Sequence, residues 1–234
     1  MAAELIGEPG GLPRIGIIAG SGSLPLAVAR AAREGGRDVF VVRIDGVTDA
    51  DFSGFPTGRS RLTAIGRMIA ELRRGRCEEI VVVGSFRRPD YRRMVPDWGT
   101  LKILPRVLLT RFGGDDRVHR MVSDYIEEQG FRVVGVPSVA PSLLATEGLA
   151  AGRPPTRTER ADIELGMRAL ARMGPLDLGQ ALVVSHGRIL AVEAQEGTDA
   201  MVARCAELRE NGRFAEKAPS GILVKAAKAG QDLR

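Results

Sequence analysis

Along the first half of the chain, short apolar runs alternate with stretches whose apolar positions recur every three or four residues. "RIGIIAG" (14–20) predicts a buried strand, and the alanine-rich "LPLAVARAAREGG" behind it predicts a helix that stops at its paired glycines. "RDVFVVRID" (37–45) predicts a second strand. Leu62, Ile65, Ile69 and Leu72 share one face of a helix over 61–75, and "EEIVVVGS" (78–85) predicts a third buried strand. This β-α-β-α-β order is that of a parallel sheet flanked by helices. "FRRPDYRRMVPDWGTLK" (86–102) is a proline-broken basic loop, with two helical stretches after it. In the second, Val118, Met121, Val122, Tyr125 and Ile126 recur at helical spacing and lead into a strand at "FRVVGV" (131–136).

The pattern then changes. Residues 137–158 carry four prolines and no sustained period, which reads as a connection. "TERADIELGMRALARMG" predicts a helix starting at Thr158, and "ALVVSHGRILAVEA" two strands around a His-Gly turn. "EGTDAMVARCAELREN" predicts a helix with Thr198 or Asp199 as cap, and "SGILVKAAK" another strand. The expected fold is therefore α/β. A flexible leader covers 1–13, a Rossmann-like N-terminal domain with a parallel sheet 14–137, a linker 138–158, and a second α/β domain 159–234.

Composition narrows the function classes. All but four of the 34 basic residues are arginine, the lysines being Lys102, Lys217, Lys225 and Lys228, and the formal net charge is +5. Guanidinium forks suit phosphates and carboxylates, so an anionic ligand fits, although arginine-rich codon usage and a solvated surface explain the surplus more plainly. No run interleaves aromatic with basic residues, which argues against nucleic acid. Cys77 and Cys205 form neither a Cys-x-x-Cys pair nor part of a histidine cluster, against a disulfide framework or a zinc site and in keeping with a reducing cytoplasm. "MAAELIGEPGGLP" lacks the basic start and apolar core of a secretory signal. The longest uncharged run, 15–29, is shorter than the roughly 18 residues that span a bilayer. His119 and His186 have no partner at nucleophile or metal spacing, so a hydrolase triad has no support.

Candidate chemistry gathers in three places. Gly20-Ser21-Gly22-Ser23-Leu24-Pro25 holds the first two glycines of a dinucleotide fingerprint but proline at the third, where close helix–strand packing normally needs a small residue. Proline suits a helix's first turn, and the N–H groups of Gly22 and Ser23 would then point outward as an anion site. Asp45 ends the second strand about where a ribose-binding acid falls. A strand-to-helix turn without a ligand explains the same residues. The third strand ends in "GSFRRPD", which brings Gly84, Ser85, Arg87 and Arg88 to the same crevice or merely to an exposed basic loop. In "AVEAQEGTDAM" a strand ends in Glu193, Gln195 and Glu196, Gly197 allows a sharp turn, and Thr198 and Asp199 open a helix. Such oxygens suit Mg²⁺ or a phosphate-bearing ligand, and capping explains Thr198 and Asp199 equally well. Lys225, Lys228 and Arg234 form a cationic tail, as phosphate contacts or as solvated charge.

Taken in order, "IGIIAGSGSLP", "GSFRRPD", "LKILP", "GGDD", "LDLGQALVV", "AVEAQEGTDAM" and "LVKAAKAGQDLR" resemble the LpxI-type UDP-2,3-diacylglucosamine pyrophosphatases of lipid A biosynthesis, from about residue 14 to the last. "EAQEGTDAM" and "KAAKAGQD" are far more specific than the glycine turn. The resemblance implies Mg²⁺-dependent hydrolysis of the substrate's diphosphate to UMP and 2,3-diacylglucosamine 1-phosphate (lipid X). It further implies two domains enclosing the lipid-linked nucleotide sugar and a cytoplasmic location with peripheral contact at the inner membrane, and it leaves room for a homodimer. Asp199 becomes the catalytic and metal-binding candidate and Glu196 a second catalytic candidate. Gly20, Ser21, Gly22, Ser23, Gly84, Ser85, Gln180, Gln195, Thr198, Lys225 and Lys228 become substrate-binding candidates.

Family members continue past the position of Arg234 into an Asp-Leu-Pro-Thr-Ile-Gly segment whose Asp their catalysis requires. The expectation is thus a C-terminal domain that is incomplete in this sequence, or a protein that lacks that carboxylate. Two other classes stay open on the residues alone. One is an NAD(P)-dependent oxidoreductase, supported by Gly20, Gly22 and Asp45 and opposed by Pro25 and by the lack of a Tyr-x-x-x-Lys pair. The other is a non-catalytic nucleotide-binding protein.

Overall fold

The computed structural model describes residues 12–86, 97, 99–100, 102, 115–145, 147–176, 178–213 and 221–227, with the backbone alone for 115–120. Arg87, Arg88, Lys228 and Arg234, and the helical stretch expected before residue 115, lie outside the described residues. The chain falls into two compact units that divide between residues 145 and 146. No helix among the described residues is long and apolar enough to cross a membrane.

In the first unit, β1 (Ile15–Ala19), β2 (Val39–Ile44), β3 (Thr57–Ser60), β4 (Glu79–Val83) and β5 (Arg132–Val133) form a parallel sheet in the order β3-β2-β1-β4-β5. β1 lies between β2 and β4, with Ile15 opposite both Val39 and Glu79, so the chain reverses direction along the sheet at β1/β4. In doubly wound sheets ligands bind beyond the carboxyl ends of the strands at such a point. β3 has no apolar run to announce it: "TGRS" is held by its pairing with β2 and by the Asp45 N–H donating to Ser60 O at 2.8 Å.

α1 (Leu24–Glu34) buries Pro25, Val28, Ala29 and Ala32 on one sheet face, with Phe52 beside them. α2 (Ile65–Arg74) and α3 (Asp115–Glu128) cover the other through Met68, Ile69, Leu72, Tyr125 and Ile126. Leu72 has no exposed surface, and its burial contributes about 2 kcal/mol. Ala64 cannot cap α2. Asp97 does so instead, accepting from the N–H groups of Gly66 at 3.2 Å and Arg67 at 2.8 Å. Partial burial pushes the Asp97 carboxyl up, but the amides of Thr100, Arg67 and Gly66 and the Thr100 hydroxyl hold it below its ordinary value.

The strand expected over 131–136 is two residues long. The chain turns at Gly135 into a short helix, α4 (Val136–Val139), with Pro137 in its first turn, and Val139 and Ala140 join the core beside α1. A run that looks uniformly strand-like thus stops short, and Pro137, lacking an N–H, suits the first turn of the helix that follows.

In the second unit, β6 (Ala181–Ser185), β7 (Arg188–Val192) and β8 (Ile222–Lys225) form an antiparallel sheet in the order β7-β6-β8. α5 (Arg157–Met173) packs Leu170 against Leu182, Val184 and Val224 on one face. α6 (Thr198–Glu210) packs Met201 and Cys205 against Ala181, Val183 and Ala191 on the other. α5 is capped by Thr156 rather than Thr158: the Thr156 hydroxyl accepts from Glu159 N–H at 3.3 Å, and the Glu159 carboxylate accepts from Thr156 N–H at 2.7 Å. The reciprocal Thr-x-x-Glu pattern selects the earlier threonine. Buried Asp162 on α5 accepts the N–H groups of His186 and Gly187 at 2.9 and 2.7 Å, fixing the turn between β6 and β7.

Candidate functional site

At the carboxyl end of the parallel sheet, the turns after β1 and β4 are joined. Gly20 N–H donates to Val83 O at 2.7 Å, Ser21 and Ser85 exchange backbone hydrogen bonds of 3.0 and 3.1 Å, and the Ser21 hydroxyl also donates to Ser85 O. Gly84 takes φ +101°, and a Cβ there would stand 2.8 Å from both Pro25 Cγ and Ser21 O. This corrects the expectation that Pro25 is a poor third residue of the fingerprint. Pro25 is buried against Gly84, so the small residue that permits close helix–strand approach sits on the β4 turn instead of on α1.

A second correction concerns the amides. Gly22 N–H does not stand free for an anion; it donates to the Asp49 carboxylate at 2.9 Å. The neighbouring Thr48 hydroxyl donates to Ala19 O at 2.5 Å and accepts from Ile44 N–H at 2.7 Å, tying the ends of β1 and β2 together. Sequence reading passed over Thr48 and Asp49. Their only signal was a polar pair just beyond Asp45-Gly46. The Asp45 carboxylate accepts from Arg59 Nε on β3 at 3.0 Å, so its charge is already matched. Ser23 sits at the N-cap of α1 with helical dihedrals and no side-chain capping bond.

In the second unit, β6 begins where β7 and β8 end, and the start of α6 lies over that edge. The carboxylate of Glu193, 7% exposed, accepts from Gln180 N–H at 3.0 Å and from the Thr198 hydroxyl at 2.8 Å. Thr198 Oγ1 in turn accepts from Lys225 Nζ at 2.9 Å. Gln180 and Thr198 therefore meet at one buried acid, Glu193, and Lys225 joins them through Thr198; in the sequence Glu193 is visible only as a strand-end residue.

The expected cap is overturned. Gly197, at φ +84°, occupies the N-cap of α6, and neither Thr198 nor Asp199 makes a side-chain cap bond. Glu193 draws the threonine hydroxyl away from the helix amides. Asp199 stands exposed in the first turn of α6 and Gln195 exposed in the loop before it. Glu196 is turned aside: its carboxylate accepts from Ala194 N–H at 3.2 Å and Arg204 Nη2 at 2.8 Å. Its own backbone N–H above all, with the Arg204 guanidinium and the Ala194 amide, holds its carboxyl below the ordinary value against the opposing effect of burial.

Among the described residues, no group of three or more His, Cys, Asp or Glu side chains converges as a metal cage. A cavity of about 540 Å³ lined by Cys77, Glu79 and Arg132 lies at the opposite, amino edge of the parallel sheet. There the buried Glu79 pairs with Arg37 and Arg132. Burial pushes the Cys77 thiol up to about 11, the reverse of what a nucleophile needs.

Fold and sites together define a two-unit α/β protein that collects polar groups at strand ends in both units. Its residues 14–143 match the model of the LpxI N-terminal domain and residues 146–234 that of the LpxI C-terminal domain. The chain is 34% identical over 221 residues to the UDP-2,3-diacylglucosamine pyrophosphatase LpxI of Caulobacter vibrioides, covering 94% of this chain and 79% of that one. The chain belongs to the LpxI family. Among solved structures it is similar to a proposed NAD-dependent epimerase/dehydratase of Methylobacillus flagellatus, at 14% identity over 93% of this chain and 90% of that one. With a TM-score of 0.35, that likeness carries no weight.

Proposed function

We propose that this chain hydrolyses the diphosphate of UDP-2,3-diacylglucosamine, giving UMP and 2,3-diacylglucosamine 1-phosphate for lipid A biosynthesis. The observation that carries the reading is the match of both LpxI domains in sequence order, together with the 34% identity to the Caulobacter pyrophosphatase.

The residues supply chemistry of the required kind. Diphosphate hydrolysis needs charge neutralised on phosphoryl oxygens and a water held for attack. Lys225 brings an exposed ammonium, and the first amides of α6, left without a side-chain cap, bring the positive end of a thirteen-residue helix. In the first unit the hydroxyls of Ser21, Ser23 and Ser85 and the Gly20–Ser23 turn are the groups we assign to the nucleotide portion. Asp199 is the better placed of the two candidate carboxylates, because Glu196 is held by Arg204 and a carboxyl kept below its ordinary value is a weak proton acceptor.

Mg²⁺ belongs to the same proposal. It commonly binds through one or two carboxylates plus substrate phosphates and retained waters, and the single exposed Asp199 suits that mode whereas a closed protein cage does not. When bound, the ion neutralises phosphoryl charge. Because the substrate carries two acyl chains, we place its encounter with the protein at the cytoplasmic face of the inner membrane, where the arginine surplus favours anionic lipid.

The test is incubation of the full chain with UDP-2,3-diacylglucosamine and Mg²⁺, followed by phosphorus NMR and mass spectrometry of the products. UMP and the lipid monophosphate are expected in equal amounts. Failure of the chain either to bind the lipid nucleotide or to release UMP overturns the reading.

A further inference from the structure

Glu193 is a buried carboxylate that the candidate chemistry does not use directly, and its two contacts fix the direction of a hydrogen-bond chain. One oxygen accepts from Gln180 N–H at 3.0 Å and the other from the Thr198 hydroxyl at 2.8 Å. A hydroxyl has a single proton, and here that proton points inward at an acceptor-only group. Thr198 therefore faces Lys225 as an acceptor, which is the geometry found, with Nζ at 2.9 Å. Thr198 has no second proton to offer a phosphoryl oxygen. Lys225 gives one N–H to Thr198 and keeps two for a ligand.

We infer that Glu193 is a positioning residue: by holding the Thr198 proton it makes Thr198 the seat of Lys225 and leaves Lys225, not Thr198, as the donor to an anionic phosphoryl group. The inference rests on the diphosphate reading above and assigns within it a role to a residue that touches no substrate. The elements support it. Glu193 follows β7, Gln180 precedes β6, Thr198 opens α6 and Lys225 ends β8, so the carboxylate ties its own segment to two others directly and to β8 through Thr198. An apolar residue at 193 would leave Gln180 N–H without its acceptor and free the threonine hydroxyl to turn outward.

Two measurements test the inference separately from the substrate assignment. The chain has only four lysines, so the Cε signals of a protein labelled with ¹³C-lysine can be assigned one by one. Glu193→Gln and Thr198→Val are expected to move the Lys225 signal and leave the other lysine signals in place, whereas Thr198→Ser keeps it near its original position. An unmoved Lys225 signal in both variants overturns the inference, whatever the substrate is.

The second measurement is the dissociation constant of UDP-2,3-diacylglucosamine in a double-mutant cycle on the full chain. Glu193→Gln and Lys225→Met are each expected to weaken binding by about tenfold or more. Together they should bind no more weakly than Lys225→Met alone, because Glu193 acts through the lysine. Losses that multiply would show that Glu193 acts independently of Lys225, and would overturn the inference. Should Glu193→Gln fail to fold, Thr198→Val replaces it in the same cycle. If unmodified protein does not bind the lipid nucleotide, the diphosphate reading fails, and the lysine spectrum alone decides the role of Glu193.

Discussion

Gly22 donates its backbone N–H to the carboxylate of Asp49, 27 residues further along the chain, at 2.9 Å. The amide of this turn already holds an anion. On the reading proposed above, a phosphate of the nucleotide portion competes with that carboxylate for the amide and meets its charge nearby. Asp49→Asn keeps an acceptor oxygen but removes the charge, so UDP is expected to bind about threefold to tenfold more tightly, with the gain shrinking as salt rises. Calorimetric titration at low and high ionic strength measures both quantities. Weaker binding in the variant would mean that Asp49 organises the turn for its ligand.

Two glycines of that crevice share a positive φ and differ in their surroundings. Gly22 has φ +96° and open space around the missing Cβ, whereas Gly84 has φ +101° with Pro25 Cγ and Ser21 O at 2.8 Å. Gly22→Ala bears backbone strain alone, roughly 1 kcal/mol, while Gly84→Ala adds a clash between two turns and a buried ring, for a total of about 3 kcal/mol. Urea midpoints should separate the variants in that order. Equal midpoints would mean that the β1 and β4 turns slide apart easily.

These details mark where sequence reasoning reached its limit. β1, β2, β4, α1 and α2 were legible because each is long enough to show its period: Ile15, Ile17 and Ile18 in a strand, Ile65, Ile69 and Leu72 on a helix face. β3 was not, because Thr57–Ser60 owes its conformation to β2's unpaired edge and not to its own side chains. In the second unit the polar residues were visible but not their partners. Thr198 looks like an N-cap by spacing, and only the fold shows that Glu193, five residues earlier, takes its proton. Likewise Pro25 reads as a defect in the fingerprint because Gly84, the small residue packed against it, lies almost sixty residues away in the chain. Local pattern reports period and turn chemistry; it does not report which distant group completes a hydrogen bond or a contact.

The start of α5 carries a titratable pair with a pH signature. Arg153 donates to both oxygens of Glu159 at 2.7 Å, and Thr156 N–H donates to one of them. The Arg153 hydrogen bonds, then those of Thr156, hold the Glu159 carboxyl down to about 2 from its ordinary 4.5. A depressed folded-state value means stabilisation that is fully present above about pH 4.5 and is lost as pH falls towards about 2. Glu159→Gln retains the capping pattern and removes the charge. The difference in melting temperature between wild type and variant should therefore close across that interval, and salt should narrow it throughout because the pair is exposed. A difference that persists at pH 2, where the carboxylate is losing its charge, would show that the stabilisation does not come from the ionised Arg153–Glu159 pair.

Asp199 and Glu196 stand three residues apart on the same loop and helix start, yet their environments give them different work. Glu196 is committed to Arg204 and to the Ala194 amide, and its carboxyl is held below the ordinary value, so it contributes charge to the loop but little basicity. Asp199 is exposed on the first turn of α6, close in sequence to the Thr198–Lys225 pair. If Asp199 contributes an oxygen to Mg²⁺ carried on the diphosphate, then Asp199→Asn should raise the Mg²⁺ concentration needed for half-maximal turnover by at least about tenfold and lower turnover at saturation. Glu196→Gln should leave the Mg²⁺ requirement within about twofold of wild type, its loss appearing instead as a lower melting temperature from the broken Arg204 contact. Chelation by EDTA should abolish turnover in all three proteins, with added Mg²⁺ restoring it. A Mg²⁺ requirement that follows Glu196 and not Asp199 would reverse the assignment, because an acid already saturated by an arginine and an amide would then have to exchange both for the ion.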